Sequence, residues 1–178
     1  MSILQRIWVH LRVLASAKRN RGDLAARLVR RPQLLVAQGT YETSLLLMGR
    51  MPAHLKTLAT AKAAMVVSCE FCLDIGAALA RTEGVPKEKL VALLEPDGNP
   101  ALDADEQLVV AFAAAISASP AVVPDELRSR LEARFTGAQL TELAAEVAWE
   151  NQRARLNQAL GIRPAGFSDG AFCLIAQG

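Results

Sequence analysis

Residues that start and stop helices recur along the whole chain, and the stretches between them carry apolar residues at helical spacing. Prolines open several of these stretches, glycines close others, and short polar residues stand where N-caps are needed. Ala and Leu are abundant, whereas aromatic residues make up 4% of the chain. Strands prefer β-branched and aromatic residues, so this balance favours packed helices. The sequence predicts an all-α fold.

The predicted helices are expected to form one multi-helix domain, because 178 residues can bury a single large core. We predict a basic helical segment over 1–50, a core over 52–161 and an irregular tail over 162–178. The helix that starts at Pro32 is predicted to be interrupted near Gly39. Further helix starts are predicted at Asp23, Pro52, Ser68, Pro86, Asp103, Pro124 and Thr136.

Charge is distributed unevenly between the N-terminal segment and the rest of the chain. The net charge is +2, but residues 1–50 hold nine Lys or Arg against Asp23 and Glu42, a surplus of +7 that leaves −5 elsewhere. This segment opens with an amphipathic helix. We expect its apolar stripe to pack on the protein's own domain or on another subunit rather than on a membrane surface, and no signature of nucleic-acid binding is present. The stripe comprises Ile3, Leu4, Ile7, Trp8, Leu11, Leu14 and Ala15.

The three cysteines indicate a reducing compartment. Their odd number argues against a fully paired, secreted disulfide framework. No apolar run reaches the length of a membrane span, and Arg6 and Arg12 interrupt the apolar N-terminal stretch, which disfavours a signal peptide. We therefore expect a cytoplasmic protein.

Two of the cysteines, Cys69 and Cys72, lie in "VVSCEFCLDIGAALARTEGV", residues 66–85. If Ser68 is the N-cap, Cys69 occupies the first helical position, where free N–H groups and the helix dipole favour a thiolate. Such an environment brings the pKa of a cysteine from about 8.5 to roughly 3.5–7.5. A spacing of three puts both sulfurs on one helix face, so either can resolve an intermediate formed on the other.

Two other interpretations of this pair remain open on spacing alone. Half of a zinc site is one, but no second cysteine pair exists and the only histidines are His10 and His54, so we predict no metal site. Two small buried residues that pack a helix junction are the other. No motif indicates an organic cofactor.

The segment "LKTLATAKAAMVVSCEFCLDIGAALARTEGVPKEKL" resembles the carboxymuconolactone decarboxylase and alkylhydroperoxidase D-like (AhpD-like) superfamily. The later stretch "ELAAEVAWENQRARLNQALGI" is similar to the closing helix of that family. The resemblance implies an all-helical protomer that assembles as a trimer or as a hexamer. It also implies peroxide reduction by the cysteine pair, with Cys72 as the thiol that attacks the peroxide and Cys69 as the thiol that resolves it. The capping pattern instead favours Cys69 as the more acidic thiol.

The sequence departs from the family at two positions. The peroxidase members carry a Glu twelve residues before the first cysteine and a His four residues after the second, and here these positions hold Thr57 and Gly76. Neither side chain titrates near neutrality. A proton relay is typically worth ~10²- to 10⁴-fold, so we expect slow turnover unless another group replaces it.

Glu70, Glu150 and His54 are the candidate replacements for this relay. Glu70 lies in the first turn after the cysteine cap, Glu150 belongs to a polar patch on the final helix, and His54 starts the preceding helix. Asp74 lies roughly 160° around the helix from Cys72, so we expect it to be solvated or salt-bridged. Cys173 is either a third redox partner or a surface thiol.

Three functions follow from these patterns. The leading hypothesis is a thiol-disulfide oxidoreductase or alkylhydroperoxidase-like peroxidase, which acts on a small peroxide or disulfide and is recycled by a thiol reductant. A decarboxylase-like lyase would use the opening at Gly76 without the cysteines. A non-enzymatic, redox-sensing oligomeric module would use the cysteines only for packing or sensing.

Overall fold

The computed structural model describes residues 3–20, 22–95 and 99–168, and within these stretches it contains nine helices and no strand. The predicted all-α, single-domain fold is confirmed, while the boundaries of the three segments within it stay predictions. None of the helices in the described stretches is both long and apolar enough to cross a membrane. In chain order the helices are α1 Ile3–Ala15, α2 Asp23–Leu28, α3 Pro32–Leu47, α4 Ala53–Val66, α5 Glu70–Thr82, α6 Lys87–Ala92, α7 Ala104–Ser117, α8 Asp125–Arg134 and α9 Gly137–Ala159.

Helix α4 lies at the centre of the fold, where it packs against α5, α7 and α9. Two sides of α4 are apolar. Leu58 and Ala64 pack in one cluster with the cysteines of α5, and Ala59 and Ala63 pack in a second cluster with α7, α8 and α9. The alanines let neighbouring helices approach closely, since a short side chain keeps the helix axes near each other. Helix α4 therefore fixes the start of α5 against the rest of the core.

Most predicted helix starts are confirmed, and two carry a full capping box. The Asp103 carboxylate accepts from the Glu106 amide while the Glu106 side chain accepts from Asp103, and Thr136 pairs with Gln139 in the same way. The predicted interruption at Gly39 is wrong, because α3 runs through it without a break. A single helical glycine costs only about 1 kcal/mol relative to alanine, which good helix formers on both sides can offset.

The apolar stripe predicted for α1 points away from the protein's own core. Leu4 and Trp8 are 79% and 59% exposed, and Leu11 and Leu14 are exposed as well. The buried side of α1 is instead a narrow line of smaller residues, and its cluster includes Val13, Ala78 and Phe167. The Arg6 guanidinium donates to the Met48 carbonyl after α3. This bond helps to hold α1 with its larger apolar residues facing outward. Among the described residues, the largest apolar side chains of α1 are therefore exposed, and the Arg12 guanidinium lies over the Trp8 ring.

Two buried carboxylates tie loops to helices through backbone amides. Asp74 of α5 accepts from the N–H groups of Gly166, Phe167 and Ser168 at 2.6, 3.1 and 2.9 Å and from the Ser168 hydroxyl at 2.8 Å. The prediction of a solvated or salt-bridged Asp74 is therefore wrong, because the chain after α9 folds back over it. Glu142 of α9 binds the amides of residues 49–51, just before α4, in the same way.

Candidate functional site

The turn between α4 and α5 places the two cysteines. Ser68 has a φ of +54°, its N–H donates to the Met65 carbonyl, and the Cys69 N–H donates to the Ala64 carbonyl. This pair of bonds is a Schellman motif, which ends a helix at a residue of left-handed conformation. Ser68 therefore terminates α4, and the prediction that it caps α5 is wrong.

Cys69 itself is the N-cap of α5. Its backbone is extended, and its sulfur accepts from the Cys72 N–H at 3.2 Å. The two residues are joined by a disulfide, with 5.3 Å between their Cα atoms. In this position Cys69 Sγ faces the unpaired amides and the positive end of the α5 dipole, an environment that favours a thiolate once the disulfide is reduced.

The two cysteines differ in their exposed fraction. Cys69 is 0% exposed and Cys72 is 5% exposed. Gly76 lies one turn beyond Cys72 on the same face of α5 and is half-buried. A Cβ placed on Gly76 would meet no atom within 4 Å among the described residues beyond its own helix backbone. The absence of a side chain at position 76 thus leaves open space on the side of the more accessible cysteine.

Asn157 of α9 is a polar neighbour of Cys72 that the sequence analysis missed. Its amide nitrogen lies 3.8 Å from Cys72 Sγ, and the residue is 3% exposed. The available signal was the spacing of Glu150, Ala154 and Asn157, which puts them on one face of α9. Sequence spacing does not reveal which partner that face meets, so the contact with α5 became visible only in three dimensions.

The three predicted relay residues are not brought together at the sulfurs. Glu70 is exposed at the start of α5, and His54 is exposed in the first turn of α4, about 18 Å along that helix from its cysteine end. Glu150 lies on the same face of α9 as Asn157 but two turns away, about 10 Å along the axis. Their roles in proton transfer stay predictions.

The residue at the family's Glu position is engaged elsewhere. The Thr57 hydroxyl donates to the Glu83 carboxylate, which directly follows α5. Eleven residues, or about 16 Å of helix, separate Glu83 from Cys72. Thr57 therefore serves the opposite end of α5 from the disulfide.

Glu150 is the buried member of a partly exposed charged cluster between α3 and α9. Arg153 donates through Nε to Glu150 Oε2 at 2.7 Å and through Nη1 to Glu42 Oε1 at 2.8 Å, and Trp149 donates to the same Glu42 oxygen. Burial raises the pKa of Glu150 and outweighs the attraction of Arg153, while Oε1 has no hydrogen-bond partner among the described residues. The Tyr41 ring stacks on Trp149 beside these charges, with 4.1 Å between the ring centroids.

No group of three or more His, Cys, Asp or Glu side chains suited to a metal ion occurs in the described stretches. Cys173 lies outside the described residues. The chemistry that the described site offers is that of the disulfide itself, with a backbone amide beside one sulfur and a side-chain amide beside the other.

Comparison with solved structures identifies the fold. The debrominase Bmp8 superposes with a TM-score of 0.78 at 23% identity over 92% of this chain and 89% of its own. A protein of unknown function from Agrobacterium tumefaciens, named as a candidate antioxidant defence protein AhpD, gives 0.73 at 16% identity, covering 78% of this chain and 94% of its own. This chain has the AhpD-like fold. A peroxidase-related protein from Silicibacter sp. TM1040 gives 0.68 at 18% identity, covering 78% of this chain and 74% of its own.

Sequence comparison adds one relative. The protein YnjA of Escherichia coli (strain K12), itself uncharacterized, is 35% identical over 111 residues, which are 62% of this chain and 61% of YnjA. The match thus spans about three fifths of that relative's length. No family model matches the sequence. The AhpD-like fold expected from the cysteine segment is confirmed, and the neighbours that share it include proteins named for peroxidase and debrominase chemistry.

Proposed function

We propose that this protein is a dithiol oxidoreductase of the alkylhydroperoxidase type, in which Cys72 attacks a small organic peroxide and Cys69 closes the disulfide. The observation that carries the proposal is the Cys69–Cys72 disulfide at the N-terminus of α5, with its more accessible residue beside the open space at Gly76. A pair that is close enough to bond and reachable from one side is what a two-electron reductant needs.

The cycle starts from the reduced pair. The Cys72 thiolate attacks one peroxide oxygen, the O–O bond breaks, and the alkoxide leaves and takes a proton to become the alcohol. Cys69 then attacks the sulfur of the resulting sulfenic acid, water departs, and the disulfide forms. An external dithiol reduces that disulfide by exchange and is itself oxidised.

Access decides between the two cysteines. The helix dipole and the Cys72 amide favour a thiolate on Cys69, but this residue is fully buried. Cys72 is the one that adjoins the opening. These two facts are compatible if the buried sulfur acts second, because a resolving thiol must reach only its neighbour and not the substrate. The resemblance to the family led to the same assignment.

Single substitutions test this assignment. In a Cys173→Ser background, so that only the pair reacts, Cys72→Ser should abolish consumption of tert-butyl hydroperoxide in the presence of dithiothreitol. Cys69→Ser should still react once, and mass spectrometry should show one added oxygen or its adduct on Cys72. The unsubstituted pair should lose two hydrogens after one equivalent of peroxide. Unchanged turnover in Cys72→Ser would reject the assignment.

The missing His and Glu should make this chemistry slow. General acid and base assistance typically contributes ~10²- to 10⁴-fold, and neither Thr57 nor Gly76 can supply it. Peroxide reduction well below the rate of a relay-containing peroxidase is the expected result.

Reductive debromination is a second candidate, favoured by the 92% coverage of this chain in the match to Bmp8. A cysteine-to-alanine variant of Bmp8 with 22% identity to this chain has been solved in complex with 2,3,4-tribromopyrrole. The same dithiol could supply two electrons to a bromopyrrole: the C–Br bond breaks, the carbon takes a proton, bromide leaves and the disulfide forms. Bromide release from tribromopyrrole that requires both cysteines would support this candidate over peroxide reduction.

The proposal extends to assembly and location. The exposed apolar residues of α1, headed by Leu4 and Trp8, support a homo-oligomer in which a second copy covers them, and a trimer or hexamer is the expected size. Light scattering coupled to gel filtration measures that size directly. A thiol reductant of a reducing compartment would recycle the disulfide, so we place the protein in the cytoplasm.

A further inference from the structure

We propose that Asn157 is a catalytic residue that stabilises the Cys72 thiolate by donating its side-chain N–H to the sulfur. The inference rests on the proposed function and specifies how its reactive thiol is activated. The observation that carries it is the contact of 3.8 Å between Asn157 Nδ2 and Cys72 Sγ, two residues that are 3% and 5% exposed.

The end of α9 is built so that Asn157 faces the sulfur. Gly161 has a φ of +63°, its N–H donates to the Gln158 carbonyl, and the Ile162 N–H donates to the Asn157 carbonyl. This Schellman motif ends α9 and fixes the backbone of Asn157 within its last turn. A side chain at position 161 would be strained in this conformation, so the glycine contributes to the placement of Asn157.

A second connection holds α9 against the cysteine turn. The amide of Gln158, the residue next to Asn157, donates to the carbonyls of Val67 and Ser68 at 2.5 and 3.2 Å. These carbonyls belong to the turn that immediately precedes Cys69. The Gln158 side chain therefore binds the turn, and the side chain of Asn157 beside it contacts Cys72. The two contacts together fix the position of the Asn157 amide relative to the Cys72 sulfur.

The two sulfurs have different donors. Cys69 Sγ accepts from the backbone N–H of Cys72, and Cys72 Sγ is approached by the side chain of Asn157. A hydrogen bond to the charged form of a group favours that form, and in a buried site its effect is larger than in water. Asn157 can therefore lower the pH at which Cys72 becomes nucleophilic. A side-chain amide does not ionise near neutrality, so it stabilises the thiolate without relaying a proton.

The decisive measurement is the pH dependence of Cys72 alkylation by iodoacetamide in a Cys69→Ser, Cys173→Ser background. Asn157→Leu keeps most of the side-chain volume and removes the donor. It should move the midpoint of thiolate formation upward by roughly one to two pH units, the shift expected when a charged group loses one hydrogen bond. Peroxide consumption by Asn157→Leu with both cysteines present should recover as the pH rises.

Asn151→Ala is the matched control, since it removes the same amide from the same helix. The Asn151 side chain donates to Ser117 and the Val147 carbonyl and accepts from Arg155, and none of these partners is a sulfur. Its loss should leave the midpoint of Cys72 unchanged even if it lowers the melting temperature. Should Asn157→Leu fail to fold, Asn157→Ala carries the same expectation.

A midpoint in the Asn157 variant equal to that of the Asn151 control would overturn the inference, whatever the peroxidase activity. The alkylation assay contains no peroxide, so failure of the proposed function gives a different result: the midpoint would still move, but the unsubstituted protein would consume no peroxide. The two ideas can thus fail separately.

Discussion

Asp74 on α5 and Glu150 on α9 are both buried carboxylates, and burial raises the pKa of each, yet their pKa values end on opposite sides of the ordinary range. At Asp74, three backbone amides and a hydroxyl outweigh burial and bring the pKa below its usual value. At Glu150, burial and the charges of Glu42 and Glu146 outweigh a single arginine, and the pKa is raised. Several fixed N–H dipoles thus outweigh burial at Asp74, whereas one arginine shared with Glu42 does not at Glu150.

Glu142 belongs with Asp74 in this comparison. Burial raises its pKa, but the amides of Met51, Arg50 and Gly49 and the charge of Lys56 outweigh that effect and lower it. Both carboxylates hold a chain segment that lacks regular structure, whereas Glu150 joins only side chains. The difference predicts which carboxylates are needed for stability and which could be free to change their protonation state.

The largest effect is expected for Asp74→Asn. An amide can accept through one oxygen only, and its NH₂ group would face backbone donors, so several of the four hydrogen bonds are lost. We expect about 3 kcal/mol of destabilisation, measured by urea unfolding at pH 7. A loss below about 0.5 kcal/mol would show that the tail is not held by this carboxylate.

Glu142→Gln should cause the next largest destabilisation, about 2 kcal/mol of unfolding free energy. The two oxygens of this carboxylate accept from three backbone amides before α4. Thr141→Ala, at an exposed neighbouring position, is the control for helix α9 and should cost less than 1 kcal/mol. Equal losses in the two variants would contradict the assigned role of Glu142.

The pH dependence of stability should have opposite signs for Asp74, whose pKa is lowered, and for Glu150, whose pKa is raised. The folded pKa of Asp74 is lowered, so its contribution is present above the unfolded pKa of about 3.9 and is lost as the pH falls below that value. The difference in melting temperature between Asp74→Asn and the unsubstituted protein should therefore shrink between about pH 5 and pH 3. A constant difference over this range would mean that Asp74 has the same pKa in the folded and unfolded chains.

Glu150→Gln should have the smallest effect and the opposite trend. The folded pKa of Glu150 is raised, so its contribution is present below the unfolded pKa of about 4.3 and is lost as the pH rises through the folded value. Glutamine does not ionise, so the variant does not lose this stability as the pH rises. The variant should gain stability relative to the unsubstituted protein as the pH rises from about 4 to 7, with a change within about 1 kcal/mol. A relative loss over this window would show that Arg153 dominates over burial.

The sequence predicted the features that depend on local chemistry. Asp103 and Thr136 form capping boxes because each has a Glu or Gln three residues later, and the cysteine pair marked the start of α5. It failed where two local signals competed. Ser68 is a good N-cap residue, but the end of α4 uses it in a left-handed conformation, and Cys69 takes over the cap.

The orientation of α1 was beyond sequence reasoning for a different reason. The pattern of α1 shows that Leu4, Trp8 and Leu11 share one face, but periodicity does not say whether that face meets the protein's own core. The structure places smaller residues inward and the larger ones outward. Asn157 is a similar case. Its spacing shows which residues share its face of α9, but only the packing of α9 on α5 shows that this face contacts the Cys72 sulfur.

By itself, the sequence determined the all-α class, most helix starts and the position of the cysteine pair at the start of a helix, because these depend on neighbours within a few positions of one another. The tertiary structure decided that Asn157 approaches Cys72 and that Asp74 binds the backbone of residues 166–168. Those relations join residues about 85 to 95 positions apart. They depend on how whole helices pack, and local propensity carries no information about such distances.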